Sequence, residues 1–80
     1  MNVKHAVADR VRELCQIYEI RPNELATRAG ITPSTIYSLL DPRRRDVSVL
    51  TVKKICDGLD ITLGDFFSTP KFDALDQEIV

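Results

Sequence analysis

A run of hydroxyl side chains lies just ahead of three consecutive arginines in the middle of this 80-residue chain. Hydroxyl groups donate or accept hydrogen bonds, and arginine binds phosphate oxygens through its fork of N–H groups. Taken alone, these residues also fit an ordinary solvated helix face and a solvated loop, so both interpretations stay open at this point. The residues concerned are Thr32, Ser34, Thr35, Tyr37, Ser38, Arg43, Arg44 and Arg45.

Enzyme chemistry is not expected, because the chain lacks the residue combinations that it needs. A hydroxyl nucleophile requires a nearby base, and the only histidine, His5, falls at the start of the first helix, where we expect it to be exposed. The three glycines are far apart and form no phosphate-binding loop. Cys15 and Cys56 with one histidine cannot complete a four-ligand metal site, and both fall on apolar helix faces as buried thiols. We therefore predict no catalysis, cofactor, metal or small-molecule ligand.

The segment from Leu25 to Leu39 must position the hydroxyl residues. Ala26 is small enough for a second helix to cross closely, and Gly30 can adopt the left-handed backbone conformation that closes a helix. Thr32 offers a capping oxygen and Pro33 suits a first helical turn. Two short helices joined by a tight turn are the result. This pattern predicts a helix-turn-helix, whose second helix is shaped to enter the DNA major groove.

The helical period recurs along the rest of the chain, so we expect an all-α fold. The first helix shows an apolar stripe made of Val7, Val11, Leu14, Cys15 and Tyr18, with Tyr18 in the core. The last segment could form a sixth helix with Phe72, Leu75 and Ile79 on one face, or fray. The predicted helices run from about Val3 to Tyr18, Pro22 to Ala29, Pro33 to Leu40, a fourth capped by Ser48, and Leu63 to Phe67 capped by Thr62, with two phenylalanines closing the core.

Charge is divided unevenly along the chain, although the formal net charge is −1. Residues 21–54 carry seven basic and three acidic side chains, whereas residues 55–80 carry six acidic side chains and one lysine. Such polarity lets one face attract phosphate while another faces solvent or a protein. No apolar run approaches a membrane span and the N-terminus lacks the apolar block of a signal peptide, so we expect a cytoplasmic protein without membrane contact.

From Val7 to Phe67 the chain resembles the phage repressor and Cro-like (XRE-type) helix-turn-helix family. The resemblance implies a five-helix DNA-binding domain over residues 1–67, followed by an acidic tail over 68–80. The matching residues are Leu14, Glu24-Leu25-Ala26, Gly30-Ile31-Thr32, Ile36 and Leu59-Asp60-Ile61-Thr62-Leu63. Three departures matter. Pro42 stands where the family often has a glycine after the third helix. Cys15 and Leu40 occupy the places of a frequent ion pair, where we expect an apolar contact, and Arg21 replaces the usual polar cap of the second helix.

By this resemblance, the chain is a transcriptional regulator of double-stranded DNA, acting as a homodimer that represses by occupying an operator. The first turns of the third helix would read bases, and the arginines after it would bind phosphates. An antitoxin or adaptor that uses the same scaffold for protein contacts stays the alternative. The implied DNA contacts are Thr32, Pro33, Ser34, Thr35, Tyr37 and Ser38, with Arg43, Arg44 and Arg45 on phosphates and Arg21, Arg28, Lys53 and Lys54 as further phosphate candidates. The hydroxyl face favours weak base discrimination, because no Arg, Lys, Gln or Asn occurs between Ile31 and Leu40.

Overall fold

Six helices form the chain in the computed structural model, which describes residues 2–79. The all-α prediction is confirmed, and the described residues contain no strand. Met1 and Val80, the outer ends of the predicted ranges 1–67 and 68–80, lie outside the described residues. The helices are α1 (Val3–Ile17), α2 (Pro22–Ala29), α3 (Pro33–Leu40), α4 (Val49–Leu59), α5 (Leu63–Phe67) and α6 (Pro70–Asp73). None of these helices is long and apolar enough to cross a membrane.

Side-chain caps start most of these helices where the sequence places a short polar residue. Asn2, Thr32, Ser48 and Thr62 each accept a hydrogen bond from the backbone N–H three residues later. Thr62 also forms a reciprocal capping box with Asp65. Arg21, as its side chain requires, provides no capping bond to α2.

Helix ends are set by backbone conformation. Gly30 closes α2 at a φ of 69°, as the sequence predicts. Asp41 leaves helical geometry before Pro42 and ends α3. At the end of α4 the left-handed residue is Asp60, at a φ of 56°, and not Gly58, which lies inside the helix. A short acidic side chain tolerates this conformation better than most others do.

A single core packs the five longer helices together. Its largest fully buried side chains are Leu25, Ile36, Ile55, Val11 and Phe66. Gly58 lets α4 approach α2 closely, because a Cβ atom there would lie 2.8 Å from the backbone carbonyl carbon of Arg28. Cys15 and Cys56 are buried as predicted, and burial raises the pKa of both thiols. Leu40 is half-buried against this core, and its direct contact with Cys15 stays a prediction.

Two predicted core residues lie at the surface instead. Tyr18 lies one residue beyond α1 and is exposed, because the helix ends before the stripe can turn that ring inward. Phe67 is only partly covered, and Phe66 alone fills the core from α5.

The tail does not form a helix long enough to carry a stripe. Because α6 ends at Asp73, Phe72, Leu75 and Ile79 share no helical face, and Ile79 is 86% exposed. Phe72 instead packs with its ring centroid 4.9 Å from that of Phe67.

Candidate nucleic-acid interface

One face of α3 is buried and the opposite face is polar and exposed. Ile36 and Leu39 point into the core and fix the rotation of the helix. On the outer side, Pro33, Ser34 and Tyr37 are exposed, and the Tyr37 side chain stands out at 52% exposure. Thr35 and Ser38 are half-buried at the edge of this face. All the residues predicted to read bases therefore reach the surface together.

Thr32 organises the first turn of α3. Its Oγ1 accepts a hydrogen bond from the Thr35 N–H at 3.3 Å and lies 2.9 Å from Thr35 Oγ1. The same oxygen lies 3.0 Å from Ser34 Oγ. These three hydroxyls form one connected group, and each can still donate or accept a bond because hydroxyl hydrogens rotate.

The loop between α3 and α4 holds the three arginines at the surface, where all of them are exposed. Arg43 is paired with Asp41 through both its backbone N–H and its guanidinium group. The Arg43 backbone N–H donates to Asp41 Oδ1 at 2.9 Å, and its guanidinium donates to Oδ1 and Oδ2, each at 3.1 Å. Hydrogen bonds from Arg43 lower the pKa of Asp41, and the same contact raises the pKa of Arg43. Asp41 therefore cancels part of the charge of the loop.

Arg44 and Arg45 make no ion pair with any residue in the 2–79 range. Arg44 lines a cleft of about 210 Å³ between α3 and the start of α4, together with Thr35, Ser38 and Thr51. The cleft brings an arginine next to the hydroxyl face of α3. A phosphate beside the exposed helix would meet both kinds of donor.

Two cations of α1 hold the end of α3, and sequence reasoning missed both roles. Lys4 is only 3% exposed, and its Nζ donates to the backbone carbonyl of Asp41 at 2.6 Å. Arg12 Nη2 donates to the carbonyl of Leu40 at 2.9 Å. The last carbonyls of a helix lack partners within it and attract cations. The last turn of α3 contains no basic residue of its own. This absence is the only sequence signal that could have indicated that another helix donates hydrogen bonds to the last carbonyls of α3.

His5 and Lys4 form part of a basic pocket with the arginine loop. The pocket measures about 350 Å³ and is lined by these two side chains and by Arg43, Arg44 and Arg45. His5 is half-buried rather than exposed as predicted, and it lines this pocket opposite the arginine loop.

Arg10 has a comparable structural role at α5. Its Nε and Nη2 atoms donate to the carbonyls of Phe66 and Asp65, each at 2.8 Å. It also forms an ion pair with Glu13. Lys4, Arg10 and Arg12 therefore hold helix ends through their side-chain donors. Apart from Lys71, which pairs with Asp9, the other lysines and arginines lie in residues 21–54.

The further phosphate candidates lie on α2 and α4. Arg21 is exposed just before the first turn of α2. Arg28 lies in the last turn of α2, and its Nη2 atom is 3.6 Å from Glu24 Oε1. Lys53 pairs with Asp57 on α4, and that contact raises the pKa of the lysine. The carboxylates of Glu24 and Asp57 partly neutralise the positive charges of Arg28 and Lys53. Arg21 makes no ion pair among residues 2–79, so its positive charge is the less neutralised one.

Comparison with known families identifies the arrangement. The family model described as a Cro/C1-type HTH DNA-binding domain matches residues 10–71, which is more than half of the chain. The matched range includes the helix-turn-helix, the arginine loop, α4 and α5, and it ends within α6. Comparisons with curated proteins and with solved structures gave no match.

Proposed function

The chain belongs to the Cro/C1-type helix-turn-helix DNA-binding family, and from that premise we propose that it represses transcription by occupying an operator. In this proposal α3 enters the major groove of double-stranded DNA and the arginine loop binds the adjacent backbone. The observation that carries the proposal is the exposed hydroxyl face of α3 beside Arg44 and Arg45, which make no ion pair among residues 2–79.

Base reading in this proposal depends on short side chains. Ser34, Thr35 and Ser38 can each donate or accept, so none of them distinguishes bases sharply. Tyr37 extends furthest from α3 and, with Pro33, offers apolar contact to a thymine methyl group. We expect modest direct discrimination, with sequence-dependent DNA shape contributing part of the remainder.

Phosphate binding in this proposal comes mainly from the loop. Arg44 and Arg45 supply free guanidinium groups, whereas Arg43 must leave Asp41 or share it. Thr32 and Ser48, at the starts of α3 and α4, add hydroxyl and backbone N–H donors. Arg21 and Arg28 are second-rank contacts. These groups would set affinity and orientation without reading sequence.

A homodimer completes the proposal, since two copies would read two half-sites and gain specificity that one hydroxyl face lacks. Repression follows from occupancy, because a bound dimer prevents polymerase from using the same DNA. No catalytic step or cofactor enters this mechanism. A regulator of this kind works where the DNA lies, and the expected location is the cytoplasm.

The salt dependence of DNA binding tests the role of the loop. Each lost phosphate contact should flatten the slope of log affinity against log salt by about 0.9. The triple variant Arg43→Ala, Arg44→Ala, Arg45→Ala should therefore flatten the slope by up to about 2.7, and Arg43→Ala alone should contribute least. Lys71→Ala, which removes one positive charge from α6, is the control and should leave the slope unchanged. An unaltered slope in the triple variant would contradict the proposal.

A further inference from the structure

The acidic tail runs back along α1 toward the first residue of that helix. Near the middle of α1, Lys71 Nζ lies 3.5 Å from Asp9 Oδ2 and holds the root of the tail. At the start of α1, the Val3 backbone N–H donates a hydrogen bond of 2.9 Å to Glu78 Oε2. Residues 74–79, which we call the tail arm, therefore lead from the middle of α1 to its first residue.

The carboxylate of Glu78 supplies a charge that the first turn of α1 lacks. That turn contains no acidic residue, and the Asn2 side chain accepts from the His5 N–H rather than from that of Val3. The first N–H groups of a helix have no partner within it, and the positive end of the helix dipole attracts anions. The tail arm therefore places an anion where the helix favours one.

The start of α1 also borders the basic pocket. Asn2 and Lys4, the chain neighbours of Val3, line this pocket together with the arginine loop. The carboxylate bound to the Val3 N–H thus lies at the edge of a surface with four cationic side chains, one lysine and three arginines. Opposite charges at such separations attract without direct contact, and salt screens the attraction.

The far end of the tail arm is held by little. Among residues 2–79, the Glu78 contact is the one hydrogen bond made by residues 76–79, all of which are exposed. The root of the arm is firmly placed, because the Phe72 ring packs with its centroid 4.9 Å from that of Phe67. The arm can therefore leave the start of α1 without disturbing the core.

We propose that the tail arm is autoinhibitory, and that Glu78 occupies the start of α1 until a DNA phosphate displaces it. The inference rests on the proposed function, in which the arginine loop beside this pocket binds the DNA backbone. A carboxylate and a phosphate are both anions, so a phosphate that approaches the pocket competes with Glu78 for the same positive surface. The tail arm thereby lowers affinity for every duplex, whatever its sequence.

Binding to a random-sequence duplex at about 50 mM salt tests the competition. Glu78→Gln keeps an oxygen that can accept from the Val3 N–H but removes the charge, and it should raise affinity about two- to fivefold. The gain should shrink as salt rises. Asp73→Asn makes the same charge change at the root of the tail and is the matched control, with little expected effect. Equal affinities of wild type and Glu78→Gln, or an equal gain in Asp73→Asn, would overturn the proposal.

A nitroxide label on Ile79→Cys measures the position of the arm, since Ile79 is exposed and both native thiols are buried. In nuclear magnetic resonance spectra of the free chain, the label should broaden the amide signals of Val3 and Lys4, with the reduced label as reference. Excess random duplex should restore both signals, because the arm leaves. Absence of broadening in the free chain, or broadening that the duplex leaves unchanged, would also overturn the proposal.

The affinity measurements separate this inference from the proposed function. Equal, salt-dependent binding by wild type and Glu78→Gln overturns the autoinhibitory arm and leaves DNA binding supported. Tighter binding by Glu78→Gln than by wild type and Asp73→Asn supports both proposals. If neither wild type nor Glu78→Gln binds the duplex at any salt concentration, both proposals are overturned, even where the label places the arm on α1.

Discussion

At the scale of single residues, the arginine loop is held by a short chain of contacts that begins in α1. Lys4 donates to the Asp41 carbonyl, and the Asp41 carboxylate binds Arg43. One residue therefore receives a buried cation on its backbone and an exposed cation on its side chain. Since the pKa of Asp41 is lowered by Arg43, this pair persists at pH values where ordinary carboxyl groups begin to lose their charge.

We predict that Asp41→Asn strengthens binding to random-sequence duplex. The change removes a negative charge beside the arginine loop and frees the Arg43 guanidinium for the proposed phosphate contact, so the salt slope should steepen by about 0.9. Asp73→Asn on α6 makes the same charge change away from the loop and should have little effect. Weaker binding by Asp41→Asn in a fluorescence-anisotropy titration would show instead that the pair positions Arg43 for contact.

Lys4→Met should destabilise the fold, although methionine keeps a side chain of similar length and apolar character to the aliphatic part of lysine. The Asp41 carbonyl would lose its donor, at a cost of about 1–3 kcal/mol in the free energy of unfolding. Urea unfolding measures this cost. Lys71→Met removes an amine from an exposed side chain and should cost less than about 0.5 kcal/mol. Equal midpoints for the two variants would show that the Lys4 contact contributes nothing.

At the scale of helices, the crossing of α2 over α4 fixes the helix-turn-helix to the core. Gly58→Ala should force this crossing apart, because the added Cβ would lie 2.8–2.9 Å from backbone atoms of Arg28 and Ala29. We expect a net loss of about 1–3 kcal/mol, even though alanine favours a helix. Gly64→Ala is the control, since its added Cβ would lie 3.6 Å from its nearest neighbour, the side-chain oxygen of Thr62. It should be neutral or stabilising in a thermal melt, and equal melting of the two variants would contradict the account.

Local chemistry explains why the sequence predicts some helices and misjudges others. Pro22, Gly30, Thr32, Pro33 and Asp41 act on their immediate neighbours, so α2 and α3 begin and end as predicted. The tail has no comparable end signal, so the sequence left a sixth helix and a frayed segment as alternatives. The helix that would carry Phe72, Leu75 and Ile79 on one face does not form, because α6 ends at Asp73.

Long-range contacts could not be predicted. Lys4 and Arg12 reach carbonyls 37 and 28 residues away, and charge patterning alone does not distinguish such cations from solvated ones. The surface position of the predicted DNA contacts could be inferred because the buried residues of α3 fix which side faces out. The pairing of Arg43 with Asp41 depends on the path of the loop, which sequence does not specify.

At the scale of the whole molecule, a twofold dimer would present two copies of α3 to one side of the DNA. Half-sites should then lie about 10 base pairs apart, centre to centre. Inserting about half a helical turn between them should reduce wild-type affinity to that of a single half-site, because the second α3 would face away from its groove. Equal wild-type affinity for both spacings would exclude cooperative reading by a rigid dimer.

The central claim, that the exposed face of α3 reads base sequence, is tested most directly by a specificity ratio. Duplexes are selected from a random pool with the full chain, and affinities for the selected and random duplexes are compared across salt. We expect Tyr37→Ala to lower the ratio about tenfold, with unchanged affinity and salt slope on random duplex. A wild-type specificity ratio near one would contradict the account. So would a specificity ratio that stays at the wild-type value in each of the variants Tyr37→Ala, Thr35→Ala and Ser38→Ala.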